Sequence, residues 1–206
     1  MGSFFKRRDE KKRPFCSVVV AAGGSSSRME GQDKMLAQLD GIPVLLRTLL
    51  TLDSCPSVSE VVVAARRDQI AELGTLCKNF GMQKVTKLVA GGDTRTRSVL
   101  RGVLECSKKA QVIAIHDGAR PLVSQRLLED VIGEGLRTGA AAPAVPVKDT
   151  VKQAEKEGVT LTDDCAAVER LGMKVTLTRG EYENIKITTP EDLILGEAIL
   201  AWRETR

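Results

Sequence analysis

Residues 18–35 read VVVAAGGSSSRMEGQDKM, an apolar run that stops at two glycines and three serines before the first basic side chains. The apolar run begins at Cys16, and a short continuous stretch of this kind predicts a strand covered on both faces. Glycines after such a strand let the backbone approach a ligand closely, and successive N–H groups can surround phosphate oxygens. With Arg28 and Lys34 following, the stretch predicts a strand that ends in a triphosphate-binding loop.

This loop matches neither of two common phosphate-binding patterns. No G-K-[ST] closes it, as a P-loop would require, and it does not read G-x-G-x-x-G. Taken alone, it also allows the plainer interpretation of a flexible turn that carries surface charges.

The rest of the chain alternates between strand and helix patterns. Strands are predicted over 16–22, 60–65, 87–90, 112–116 and 140–147, and helices over 43–52, 69–80, 96–106 and 125–137. Two short strands over 174–178 and 184–187 precede a final helix that begins at the sequence TTPEDL. This alternation predicts an α/β fold with a mostly parallel, doubly wound sheet and helices on both faces.

Composition and charge narrow the class of protein. The 206 residues are 42% hydrophobic but only 3% aromatic, so a single domain over 15–206 would build its core from Val, Leu, Ile and Ala. The formal charge of +4 comes from residues 1–14, which hold six Lys/Arg and two Asp/Glu. These residues predict a basic tail, either disordered or a cloning remnant, with a nucleic-acid-binding arm as the alternative. No apolar run is long enough for a membrane span, and a cytoplasmic protein without membrane or nucleic-acid partners is expected.

Two further polar loops follow predicted strands. One is Gly91-Gly92-Asp93-Thr94-Arg95 with Ser98 behind it, and the other runs from His116 to Pro121. Ligands bind at the carboxyl ends of strands in open α/β sheets, so the three loops predict one polar site. His116 is the only histidine, and we assign it no proton transfer because a lone histidine after an apolar run is more often structural. The five cysteines form no C-x-x-C pair and are interpreted as small apolar residues.

Several motifs in this order carry a family resemblance. They are A-G-G-x-S-x-R-M from Ala22, G-G-D-x-R-x-x-S from Gly91, H-D-G-A-R-P from His116, V-K-D-T from Val147, T-D-D from Thr162 and N-I-K-I-T-T-P-E-D-L from Asn184. Together they resemble the 2-C-methyl-D-erythritol 4-phosphate cytidylyltransferase family of non-mevalonate isoprenoid biosynthesis. The resemblance implies a Rossmann-like nucleotidyltransferase fold, CTP and a sugar-alcohol phosphate as substrates, Mg²⁺ as cofactor, and a homodimer.

The resemblance also implies site residues of four kinds. The nucleotide-binding residues are Ala22, Gly23, Gly24, Ser25, Ser26, Gly92, Asp93, Arg95, Ser98, Asp117 and Gly118. The catalytic residues are Arg28, Lys34 and Lys186. The substrate-binding residues are Asp117, Arg120, Thr150, Thr162 and Lys186, with Thr150 contributed by the partner subunit. The metal ligand is Asp117.

The sequence departs from the family pattern at three places. Ser26 stands where the family usually has glycine, and Asp33 stands where it often has proline, so an acid adjoins Lys34. The family has an arm of several tens of residues between V-K-D-T and T-D-D, and this arm is absent near residues 154–157. Because the sugar pocket lies partly in that arm, ribitol 5-phosphate cytidylyltransferase remains an alternative, as does a non-catalytic nucleotide-binding relative.

Overall fold

Eight strands and six α-helices are assigned in the computed structural model, which describes residues 13–24, 29, 33–146 and 164–205. The strands are β1 (Cys16–Ala22), β2 (Gln38–Leu39), β3 (Ile42–Pro43), β4 (Glu60–Ala65), β5 (Val85–Ala90), β6 (Val112–Asp117), β7 (Ala141–Ala144) and β8 (Thr176–Arg179). The helices are α1 (Val44–Ser54), α2 (Ile70–Asn79), α3 (Arg95–Leu104), α4 (Gln125–Thr138), α5 (Asp164–Arg170) and α6 (Pro190–Glu204).

The central sheet is parallel and has the strand order β5-β4-β1-β6. Helices cover both of its faces: Val18 and Val20 of β1 pack in the core with α1, while Gly102 of α3 lies directly over Val19. Every residue of β4 is buried. The predicted α/β class with a doubly wound sheet is therefore confirmed.

A second, two-stranded sheet stands apart from the first. Strands β7 and β8 pair in parallel from Ala141 with Thr176 to Ala144 with Arg179. Helix α4 packs against both strands, and within the described residues no ladder joins β7 to β6. Leu177 of β8 is 69% exposed, so the outer face of this small sheet is bare in the described part of the chain.

Some element predictions were wrong. The segment 184–187 is not a strand, because its backbone bonds to a loop: the N–H of Ile187 donates to the carbonyl of Ala119 at 2.8 Å. Strand β7 ends at Ala144, before the predicted end at residue 147. Pro146, just after the strand, has no N–H to continue a ladder. The β2–β3 hairpin was missed, although its Asp40-Gly41 turn has positive φ at both residues and is a known hairpin signal.

Side-chain burial agrees with the interpretation of most cysteines as apolar residues. Cys16, Cys55 and Cys77 are buried, Cys106 and Cys165 are partly exposed, and none of the five is in a disulfide. Burial raises the pKa of the Cys16 thiol to about 12, which keeps it protonated. Among the described residues, no helix combines the length and apolar character needed to cross a bilayer.

Candidate active site

A cavity of about 330 Å³ opens at the carboxyl ends of the central strands. Because β1, β5 and β6 run in the same direction, the loops that follow them meet at one edge of the sheet. The predicted site residues that line the cavity are Gly23, Gly24, Lys34, Gly92, Asp93, Arg95, Ser98, Asp117 and Lys186. The structure thus brings together the three loops that the sequence singled out, and adds Lys186 from the chain's last third.

Asp117 is the electrostatic centre of the cavity. Its side chain is 16% exposed, and its carboxylate lies 3.0 Å from Nζ of Lys186 and 3.1 Å from Nη2 of Arg95. Nε of Arg120 lies 3.6 Å away. Burial alone would raise the pKa of Asp117, but Lys186 and Arg95 outweigh it and lower the pKa to about 2. The carboxylate is therefore charged across the physiological range and orients the cations around it.

Arg95 bridges two carboxylates at the start of α3. Besides Asp117, it contacts Asp164 at the start of α5, with Nη2 and Oδ2 2.8 Å apart. The hydrogen bond to Asp164 is the largest cause of the raised pKa of Arg95. Asp164 was not among the predicted site residues, although it is the last residue of the quoted T-D-D motif. That motif was the signal that could have identified it.

Lys186 is held in place by its neighbours in the N-I-K-I-T-T-P-E-D-L motif. Ile187 is fully buried, and the guanidinium of Arg120 donates to the carbonyl of Asn184 at 2.9 Å. Downstream, the carboxylate of Asp192 accepts from the N–H groups of Thr188 and Thr189 at 2.7 and 2.9 Å. This is a capping box at the start of α6, the helix predicted to begin at the sequence TTPEDL.

The glycine-rich second loop approaches α3 more closely than a side chain would allow. A Cβ on Gly92 would lie 2.5 Å from Cβ of Arg97. The buried hydroxyl of Ser98 accepts from the N–H of Gly92 at 3.0 Å and donates to the carbonyl of Thr94 at 2.9 Å. Thr94 caps α3 by accepting from the N–H of Arg97. The loop thus places the N-terminus of a ten-residue helix at the cavity, where its dipole favours an anion.

Three predicted residues lie near the cavity without lining it. Ala22 is buried at the end of β1, and Arg120 lies beside Asp117. Gly118 is buried against Leu45, and its carbonyl accepts from the hydroxyl of Thr48 at 2.9 Å. The remaining predicted residues fall outside the described part of the chain: Ser25, Ser26, Arg28, Thr150 and Thr162.

His116 occupies the opposite face of β6 from Asp117, since side chains alternate along a strand. Both imidazole nitrogens are buried and have no hydrogen-bond partner among the described residues. Burial lowers the pKa of His116 to about 4, so the ring is neutral at physiological pH. The ring is therefore placed neither to contact a ligand in the cavity nor to exchange protons there.

Comparison with curated proteins gives long matches. The chain is 35% identical to a 2-C-methyl-D-erythritol 4-phosphate cytidylyltransferase of Halalkalibacterium halodurans, over 92% of this chain and 99% of that protein. It is 36% identical to the protein of that name from Syntrophus aciditrophicus, over 94% of this chain and 99% of that protein. Both alignments, of 226 and 232 residues, are longer than this chain.

Solved structures and a family sequence model agree with these matches. The 4-diphosphocytidyl-2C-methyl-D-erythritol synthase of Anaerococcus prevotii has a TM-score of 0.79 at 24% identity, covering 92% of this chain and all of that one, and shows the fold. The 2-C-methyl-D-erythritol 4-phosphate cytidylyltransferase of Thermus thermophilus has a TM-score of 0.68 at 27% identity, covering 89% and 97%. The family model matches residues 15–161 and 152–202, so that 152–161 are matched twice. A partly buried carboxylate among cations, glycine-rich loops at the strand ends and these matches lead to one conclusion: the chain belongs to the 2-C-methyl-D-erythritol 4-phosphate cytidylyltransferase family.

Proposed function

We propose that this chain transfers the cytidylyl group of CTP to 2-C-methyl-D-erythritol 4-phosphate, giving 4-diphosphocytidyl-2-C-methyl-D-erythritol and pyrophosphate. The observation that carries the proposal is the convergence of Lys34, Arg95 and Lys186 on one cavity around the carboxylate of Asp117. Such a cavity suits two anions that must meet. The names of the relatives supply the identity of those anions.

The reaction needs no general base. The second pKa of a phosphate monoester is about 6, so the attacking phosphate is already largely dianionic at neutral pH. An oxygen of the sugar phosphate attacks the α-phosphorus of CTP. The bond from that phosphorus to the bridging oxygen of the β-phosphate breaks, and pyrophosphate leaves with the electron pair. The buried, neutral His116 fits a reaction without histidine catalysis.

Catalysis in this scheme is positioning and charge neutralisation. Lys186 holds the attacking phosphate, while Lys34, together with Arg28, stabilises the charge that develops on the α-phosphate and the leaving pyrophosphate. Asp117 orients Lys186 and Arg95 through its two oxygens. The backbone of Gly23 and Gly24 and the start of α3 complete the nucleotide side of the cavity.

The cavity residues fit a magnesium ion bound mainly by substrate. Within the described residues, no cluster of three or more His, Cys, Asp or Glu side chains could hold a metal by itself. Mg²⁺ usually takes one or two protein carboxylates and obtains its other ligands from substrate phosphates and water. Asp117 would hold the ion, which neutralises phosphate charge when bound. Asp93, the other acidic side chain at the described cavity, is exposed and paired with Arg97.

We further infer that the chain lacks the family arm near residues 154–157 and works as a homodimer with Thr150 of the partner subunit at the sugar site. The double match at 152–161 and alignments longer than the chain support the loss of an internal segment. This loss is also the specific observation that favours the two alternatives, a ribitol 5-phosphate substrate and a non-catalytic nucleotide-binding protein.

Sedimentation velocity tests whether the chain forms the proposed homodimer.

Two measurements on the full chain separate these functions. Calorimetric titration measures CTP binding, and pyrophosphate release is followed with CTP and each sugar phosphate in turn. We expect CTP binding and faster release with 2-C-methyl-D-erythritol 4-phosphate. Faster release with ribitol 5-phosphate would change the substrate, and CTP binding without release from either would support the non-catalytic alternative.

A further inference from the structure

Lys34 is carried on a short turn whose first residue is Asp33. The carbonyl of Asp33 accepts from the N–H groups of Leu36 and Ala37 at 3.1 and 2.9 Å. Its carboxylate Oδ1 accepts from the N–H of Met35 at 2.9 Å. Asp33 therefore acts as the cap of this turn, in the way that an Asp side chain caps the first turn of a helix.

The second carboxylate oxygen of Asp33 reaches a different part of the fold, the loop between β4 and α2. There Oδ2 accepts from Nη1 of Arg66 at 3.3 Å and from Nε2 of Gln69. Gln69 is only 7% exposed, and a buried amide is costly unless its donors are satisfied. Asp33 supplies the acceptor that this buried amide needs. The bond attaches the turn to the central sheet just beyond the end of β4.

The other side of the turn is tied to α1. The N–H groups of Val44 and Leu45 donate to the carbonyls of Ala37 and Met35, both at 3.0 Å. Between these two attachments the side chain of Lys34 lines the cavity. Its Nζ lies 3.9 Å from where a Cβ on Gly24 would be, beside the first glycine loop.

We propose that Asp33 is a positioning residue for Lys34, through its contacts with Arg66 and Gln69. These two contacts engage Oδ2, and the N–H of Met35 engages Oδ1. Together they hold the turn in the position from which the lysine reaches the α-phosphate. This inference rests on the proposed role of Lys34. Neither Arg66 nor Gln69 lines the cavity, so each acts through Asp33.

A double-mutant cycle on the full-length protein tests the proposal, with kcat and KM measured for both substrates. We expect Asp33→Ala to lower kcat by about 10- to 100-fold, as a misplacement of about 1 Å can do, with little change in KM for the sugar phosphate. In a Lys34→Ala background the same substitution should have almost no further effect on kcat, because the group that it positions is gone. Asp33→Asn keeps an acceptor for Met35 and should restore part of kcat.

Asp68→Ala is the matched control. Asp68 binds the other end of the Arg66 guanidinium, so its loss leaves the contacts of Asp33 in place, and kcat should stay within about twofold. If Asp33→Ala does not fold, Arg66→Ala replaces it, because that side chain is 40% exposed, and kcat should fall several-fold.

The outcomes distinguish the positioning role of Asp33 from the catalytic role of Lys34. A large loss in Lys34→Ala with an unchanged Asp33→Ala overturns the positioning role alone. Equal losses from Asp33→Ala in the presence and absence of Lys34 also overturn it, since the acid would then act independently. An unchanged Lys34→Ala overturns the role of the lysine itself, and with it that of Asp33.

Discussion

The four-stranded sheet and the sheet of β7 and β8 are both parallel, but they are covered to different degrees. Strand β4 is buried along its whole length, whereas no residue of β7 or β8 is buried. Parallel strands normally occur where both faces are covered. The polypeptide between β7 and β8 includes 152–161, the residues that the family model matches twice. Within the described residues, the centre of the large sheet is covered, whereas the small sheet that flanks the doubly matched segment is not.

A matched pair of leucines gives the largest contrast in stability. Leu49 of α1 is fully buried and Leu177 of β8 is 69% exposed. Leu49→Ala should lower the free energy of unfolding by about 2–5 kcal/mol, and Leu177→Ala by less than about 0.5 kcal/mol. Urea unfolding measures both. A loss above about 1.5 kcal/mol for Leu177→Ala, or an unfolding midpoint that depends on protein concentration, would mean that the small sheet is covered in solution.

Substitution of Lys34 tests the cavity at the edge of the four-stranded sheet. Lys34→Ala should lower kcat by roughly 10²–10³-fold, with a smaller effect on KM for CTP, because its charge matters most in the transition state. Steady-state pyrophosphate release measures both constants. Arg126→Ala on α4 is the control, since its side chain is 83% exposed and should not alter kcat. A decrease below about threefold in Lys34→Ala would transfer the role to another residue.

The lowered pKa of His116 predicts how the stability of the fold depends on pH. Its pKa is about 4 when folded and about 6.5 when unfolded, so the unfolded chain binds the proton more readily. Stability is therefore fully present above about pH 6.5 and is lost as the pH falls towards 4, by up to about 3 kcal/mol. His116→Leu should flatten this part of the profile, and His116 is the chain's only histidine. Identical profiles for the two proteins between these pH values would show that folding does not lower the pKa of His116.

Two helix glycines give the smallest effects, and these have opposite signs. A Cβ on Gly102 of α3 would collide with Val19 of β1, so Gly102→Ala should lower stability by about 1–3 kcal/mol. A Cβ on Gly133 of α4 would meet no atom of the described residues within 4 Å, and Gly133→Ala should raise stability by about 0.5–1 kcal/mol. Thermal unfolding of the two variants provides the comparison. Stabilisation by Gly102→Ala would contradict the close packing of α3 on the central sheet.

Sequence reasoning located the cavity because the ends of parallel strands share one edge. This rule needs only the order of strands along the chain. It predicted correctly that Gly23, Gly92 and Asp117 lie at one site. It could not find contacts that depend on tertiary packing, such as those of Asp33 with Gln69 or of Arg95 with Asp164. The alternating pattern at 184–187 predicted a strand, but these residues bond to a loop, a choice that local pattern does not encode.

The capping box at Thr189 ties catalytic assembly to the order of protein synthesis. Asp192 at the start of α6 fixes the backbone that leads to Lys186, and Gly196 of the same helix packs on Leu39 near the Lys34 turn. Asp117 leaves the ribosome long before Lys186 does. In the proposed mechanism, the lysine that would hold the acceptor phosphate is therefore positioned only when α6 docks, after the strand that carries Asp117 has been synthesised.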